Sequence, residues 1–99
     1  MKKQIAILGS TGSIGKQTLE VVAEHPDLFD VYAITANRSA DLLIAQAREF
    51  KPEVVVIADE SLYQKVQEAL ADLPIKVWAG ADALCQVVEA QQINVVVTA

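Results

Sequence analysis

One cysteine stands among the 99 residues, Cys85, so the chain can form no internal disulfide and no metal site built from cysteine alone. It falls in a stretch with helical spacing, where a buried small hydrophobe is the expected role. Basic residues are outnumbered, 8 Lys and Arg against 13 Asp and Glu, for a net charge of −5. A general nucleic-acid surface needs clustered cations, and this balance argues against one. No apolar run approaches the ~20 residues of a membrane span. Lys2-Lys3 before Ile5–Leu8 imitates the start of a signal peptide, but the run stops at Gly9, short of the roughly 7–15 apolar residues such a segment requires. The expectation is a soluble, cytoplasmic chain with neither nucleic acid nor membrane as a partner. Aromatics are also few, at 5% of the residues.

What the chain has in quantity is aliphatic: 53% of it is hydrophobic, with Val, Ile, Leu and Ala dominant. Parallel strands buried on both faces read as such unbroken runs. The length suits a single domain. Gln4–Leu8 is a first strand, and Ser13 to about Glu24 a helix with Ile14, Thr18, Val21 and Val22 on one face. His25-Pro26-Asp27 closes it, because proline disfavours helical geometry in the preceding residue. Asp30–Thr35 is the second strand, Ser39–Phe50 a helix broken by Lys51-Pro52, and Val54–Ile57 the third strand. Asp59 can cap a helix carrying Leu62, Val66, Ala69, Leu70 and Leu73. Ile75–Trp78 follows as a strand, then a helix from Gly80-Ala81-Asp82 with Leu84, Val87 and Val88 inward, then Ile93–Thr98 as a fifth strand of buried type. Such alternation predicts an α/β fold, a Rossmann-type three-layer α/β/α sandwich with a mostly parallel sheet of about five strands and right-handed crossovers. More chain is expected to follow the last strand.

Glycine is scarce too, four residues in all, and three of them share one turn: Gly9, Gly12 and Gly15 in Gly9-Ser10-Thr11-Gly12-Ser13-Ile14-Gly15. That turn joins the first strand to the first helix. There Gly9 permits a tight turn, Gly12 lets a pyrophosphate approach the backbone, and Gly15 lets the helix pack closely. The helix N-terminus offers N–H groups and a partial positive charge to phosphates, with hydroxyls of Ser10, Thr11 and Ser13 as added donors. A glycine pattern alone is weak evidence; one opening the first helix of a βαβ unit is stronger.

The end of the second strand selects the nucleotide. NAD-specific sites place an acid about 20 residues after the glycine turn, on the ribose 2′-hydroxyl. Thr35-Ala36-Asn37-Arg38-Ser39 has none there, the next acid being Asp41. Arg38 offers paired donors to a 2′-phosphate, supported by Asn37 and Ser39, which points to NADPH. His25 and Asp59-Glu60 have structural roles at helix ends, and Trp78 packs at a strand. The pattern holds no metal cluster, no nucleophile with a nearby base and no substrate pocket, so these residues supply only the cofactor half of a hydride-transfer enzyme.

Ile5 through Gly15, followed by Thr18-Leu19-Glu20-Val21-Val22, closely resembles the N-terminus of the 1-deoxy-D-xylulose 5-phosphate reductoisomerase family. The likeness continues through Phe29-Asp30-Val31, Thr35-Ala36-Asn37-Arg38, Phe50-Lys51-Pro52, Ala79-Gly80 and Val95-Val96-Val97-Thr98-Ala99. The resemblance implies an NADPH-dependent enzyme of non-mevalonate isoprenoid synthesis. Such enzymes convert 1-deoxy-D-xylulose 5-phosphate to 2-C-methyl-D-erythritol 4-phosphate with Mg²⁺ or Mn²⁺, usually as homodimers. It places Thr11, Gly12, Ser13 and Ile14 at the NADPH phosphates and Asn37, Arg38 and Ser39 at the 2′-phosphate, with Ala36 leading into that loop. Many members carry glycine and lysine where Asn37 and Arg38 stand, and the arginine keeps the charge. By the same resemblance, residues 1–99 are a cofactor domain whose metal, substrate and catalytic residues lie beyond residue 99. The glycine spacing leaves two alternatives: another reductase, of aspartate-semialdehyde dehydrogenase or atypical short-chain type, or a standalone nucleotide-binding module.

Overall fold

The computed structural model describes residues 2–90 and 92–98. Ala99, the last residue of the string carrying the resemblance, lies outside them. β1 (Lys3–Leu8) leads into α1 (Ser13–Glu24), then β2 (Phe29–Ala36), α2 (Ala40–Phe50) and β3 (Val54–Ile57). A 3-10 turn over Glu60–Leu62 precedes α3 (Tyr63–Ala69), β4 (Lys76–Ala79), α4 (Ala81–Val88) and β5 (Val95–Thr98). The strands form one sheet in the order β4-β3-β2-β1-β5, and every pairing is parallel. The chain walks outward from β1 to β4, then crosses back to lay β5 on the other side of β1. Where strand order reverses, the carboxyl ends of β1 and its neighbours open a crevice, the usual ligand position in open α/β sheets.

The architecture is the expected three-layer Rossmann-type sandwich, with unequal faces. Ile5, Ile7, Val31, Ile34, Val55 and Ile57 pack under α1, α2 and α3, which contribute Leu19, Val22, Leu43, Ala47 and Val66. The opposite face carries Ala6, Ala33, Val54 and Val56 against Ala83 and Val87 of α4. The ladder slips between Ile5 and Ala6, where Val31 and Ala33 face them and Tyr32 is the extra residue. This bulge puts the consecutive residues Tyr32 and Ala33 on the α4 face.

Several expectations change in three dimensions. α1 buries Gly15, Leu19 and Val22, whereas Ile14 and Val21 are 58% and 51% exposed. Both stripes have helical spacing; the close contact required at Gly15 decides which turns inward. In α4 Ala83 and Val87 are buried and Leu84 packs against them, while Val88 and Cys85 are exposed. Asp59 caps the short 3-10 turn rather than a long helix, its Oδ1 accepting from the Ser61 N–H at 3.0 Å, and α3 ends at Ala69, before Leu73. β5 starts at Val95, not Ile93, and is an edge strand whose Val95 and Val96 are exposed. Asn94 instead brackets Gln4, its N–H donating to the Gln4 carbonyl and its Oδ1 accepting from the Gln4 N–H, both at 2.8 Å. Lys51 ends α2 in the left-handed region, φ 50°, before buried Pro52.

Candidate functional site

The three glycines of the turn answer to different demands. Gly9 has φ 84°, a conformation L side chains rarely adopt. At Gly15 a Cβ would collide with the Gly9 carbonyl oxygen and sit 2.6 Å from Ser10 Cα, so α1 rests directly on the backbone of the turn. Gly12 has ordinary extended geometry, φ −78° and ψ 173°, and a Cβ there would make an ordinary 3.4 Å contact with Gly9 O. Among the described residues nothing requires glycine at 12, as expected of a residue kept small for something approaching from outside. Gly12 also opens α1, has no side chain to cap it, and is followed by a first turn without an acid. α2 and α4 each carry an aspartate in the first turn, Asp41 and Asp82. An acid there would neutralise the dipole; α1 leaves its positive end open to an external anion.

The turn is fastened to the sheet and to α2 from below. The N–H of Gly9 donates to Thr35 Oγ1 at 3.0 Å, and the N–H of Ser10 to the Thr35 carbonyl at 2.9 Å. The Ser10 hydroxyl donates to Gln46 Oε1 at 2.7 Å, and Gln46 Nε2 donates back to the Ser10 carbonyl at 2.9 Å. Ser10 is therefore fully buried, and its hydroxyl, expected among the phosphate donors, points into the core. Thr11 is half-buried, and Ser13 and Ile14 lie exposed around the helix start.

Asn37, Arg38 and Ser39 form an exposed loop between β2 and α2, with Ala36 buried beneath it. The loop backbone is anchored by Asp59 N–H to the Asn37 carbonyl at 3.0 Å and Ala40 N–H to the Arg38 carbonyl at 2.8 Å. Ser39 stands at the N-cap of α2 without capping it through its side chain. Arg38 reaches Asp59, Nε to Oδ2 at 3.4 Å, with its side chain 79% exposed. The Asp59 carboxyl is held below its usual range, first by the Ser61 hydroxyl and N–H and then by Arg38. Between loop and turn lies a cavity of about 280 Å³ lined by Leu8, Gly9, Thr35, Ala36, Asn37, Ala58 and Leu84. A larger groove of about 710 Å³ runs along α3 and β4, on the far side of the sheet order from the turn. The smaller cavity is the one that touches both the turn, at Gly9, and the loop, at Asn37 beside Arg38.

Thr35 as a clamp, Gln46 as a lock, Asp59 as the partner of Arg38, and Ala58 and Leu84 as walls were not foreseen. Only the Asx-type spacing Asp59-x-Ser61 left a readable signal. Among the described residues, no three His, Cys, Asp or Glu side chains cluster to hold a metal ion, and no helix is long and apolar enough to cross a membrane.

Residues 5–99 match the family model of 1-deoxy-D-xylulose 5-phosphate reductoisomerase. The chain belongs to this family. The reductoisomerase of Bacteroides thetaiotaomicron is 66% identical over 98 residues, covering 99% of this chain and 25% of the relative, and that of Porphyromonas gingivalis is 65% identical over 99 residues, covering 100% and 26%. The chain thus spans about a quarter of the length of these relatives. Among solved structures, the reductoisomerase from Zymomonas mobilis in complex with NADPH superposes with a TM-score of 0.84 at 41% identity, over 87% of this chain and 23% of that one. A reductoisomerase in complex with magnesium gives 0.91 at 28% identity, over 97% and 24%. Membership in the reductoisomerase family sets aside the aspartate-semialdehyde dehydrogenase and short-chain reductase alternatives.

Proposed function

We propose that residues 1–99 are the cofactor domain of a 1-deoxy-D-xylulose 5-phosphate reductoisomerase, and that they seat NADPH in the crevice between the glycine turn and the Asn37–Ser39 loop. The observation that carries this is an uncapped, acid-free helix start at Gly12 whose turn shares one cavity, through Gly9, with Asn37, the chain neighbour of the exposed Arg38. N–H groups at the start of α1 receive the pyrophosphate, and Thr11, Ser13 and Ile14 frame it. Arg38, with Asn37 and Ser39, holds the 2′-phosphate. Gly9, Ser10 and Gly15 shape the turn rather than touch the phosphates through side chains. NADPH supplies a hydride; the residues of this chain bind and orient it. The Zymomonas mobilis relative that binds NADPH supports the assignment.

The whole protein would convert 1-deoxy-D-xylulose 5-phosphate to 2-C-methyl-D-erythritol 4-phosphate in the cytoplasm, as a homodimer, with Mg²⁺ or Mn²⁺. Among the described residues no three His, Cys, Asp or Glu side chains cluster to hold a metal ion; on this reading the metal, substrate and catalytic groups belong to the rest of the enzyme. The test is calorimetric titration of the purified protein. NADPH binding tighter than NADH supports the reading, and equal affinities overturn the role of Arg38.

A further inference from the structure

Among the described residues the buried polar side chains, Ser10, Thr35 and Gln46, all meet at one place, directly beneath the glycine turn. Elsewhere α2 turns Ala40, Leu43 and Ala47 inward. A glutamine among them must have both ends of its amide satisfied, or its burial costs stability. Ser10 satisfies both, accepting and donating one bond each, at 2.9 and 2.7 Å. The same helix carries the Arg38 loop at its N-terminus, through the Ala40 N–H bond to Arg38 O and Ser39 at the N-cap. One rigid element therefore bears on both halves of the crevice.

We infer that Gln46 is a positioning residue: its paired bonds to Ser10 set the distance between the phosphate turn and the 2′-phosphate loop, so that one nucleotide can engage both. This rests on the NADPH reading above. Leu43 and Ala47, both fully buried, hold α2 and its loop on the sheet without Gln46. Loss of the amide then leaves the turn held from below by Thr35 alone, so that it can shift, and leaves the loop in place. Ligands that use the turn should suffer; a ligand that uses the loop alone should not.

The experiment compares wild-type protein with Gln46→Met, which keeps the length and apolar stem, using three probes. NADPH spans both loops, NADH uses the turn, and adenosine 2′-monophosphate uses the loop. Gln46→Met should weaken NADPH and NADH about tenfold and leave adenosine 2′-monophosphate within about twofold. Ser10→Ala, which keeps the bond to the Ser10 carbonyl, should give the same pattern at about threefold. Unchanged NADPH affinity in Gln46→Met overturns the role, as does equal weakening of all three probes, which marks a general loss of stability. Should Gln46→Met not fold, the Ser10→Ala pattern decides alone by the same criteria. A wild-type protein that binds none of the three probes overturns the cofactor reading itself, an outcome distinct from failure of Gln46.

Discussion

The turn Gly9–Gly15 and the loop Ala36–Ser39 meet at one cavity, lined by Gly9 from the first and Ala36 and Asn37 from the second, but are held in opposite ways. The turn is pinned by buried groups: Thr35 and Gln46 from below, and α1 pressed onto it at Gly15. The loop is tied down through its backbone, and the side chain proposed to choose the nucleotide, Arg38, stays exposed with a 3.4 Å ion pair to Asp59. Backbone donors aimed at a pyrophosphate must be preorganised, because a peptide N–H cannot reorient after the ligand arrives. A guanidinium on a long stem can swing to its phosphate, so rigidity matters less there. Substitutions in the turn should therefore strike stability first, and those in the loop should strike ligand choice.

The largest effect is expected at Gly15→Ala, where the new methyl meets backbone that cannot yield. A loss of about 3 kcal/mol in denaturant unfolding is expected; wild-type stability would show that α1 does not rest on the turn. Arg38→Ala should weaken NADPH about 30-fold, leave NADH nearly unchanged and barely move the melting temperature. Equal losses for both nucleotides would erase the distinction between turn and loop. Gly12→Ala tests the exception within the turn. It should cost at most about 1 kcal/mol of stability yet weaken NADPH and NADH alike, about tenfold.

The smallest effect concerns α2, whose outer face repeats the exposed kind of contact. Arg48 binds Asp72 through both nitrogens at 3.0 Å, and that hydrogen bonding holds the Asp72 carboxyl below its ordinary value. A carboxylate lowered on folding adds stability above its unfolded pKa and loses it as pH falls through the folded one. Arg48→Ala should therefore melt slightly below wild type at neutral pH, and the two curves should converge as pH falls through and below the ordinary aspartate range. Salt should also narrow the gap, since an exposed pair is screened.

The strand–helix alternation, the parallel sheet, the glycine turn and the position of the Arg38 loop were all legible in the linear chain. Each follows from local chemistry: aliphatic runs, helical spacing, proline and glycine at fixed points. Sequence pattern and fold diverge where two local patterns compete. α1 has two apolar stripes, and only the contact at Gly15 chooses between them. Val95 and Val96 read as interior, yet the place of β5 at the edge of the sheet leaves them exposed. Cys85 has the composition of a core residue and the address of a surface one.

The turn's residue types and spacing were decided by sequence, because a positive φ at Gly9 and an open helix start at Gly12 are properties of a few adjacent residues. Its rigidity was decided by tertiary structure. Ser10 looked like one more phosphate donor until the fold set Gln46, 36 positions away, against its hydroxyl. A buried hydrogen bond needs both partners, and only folding brings the second within reach.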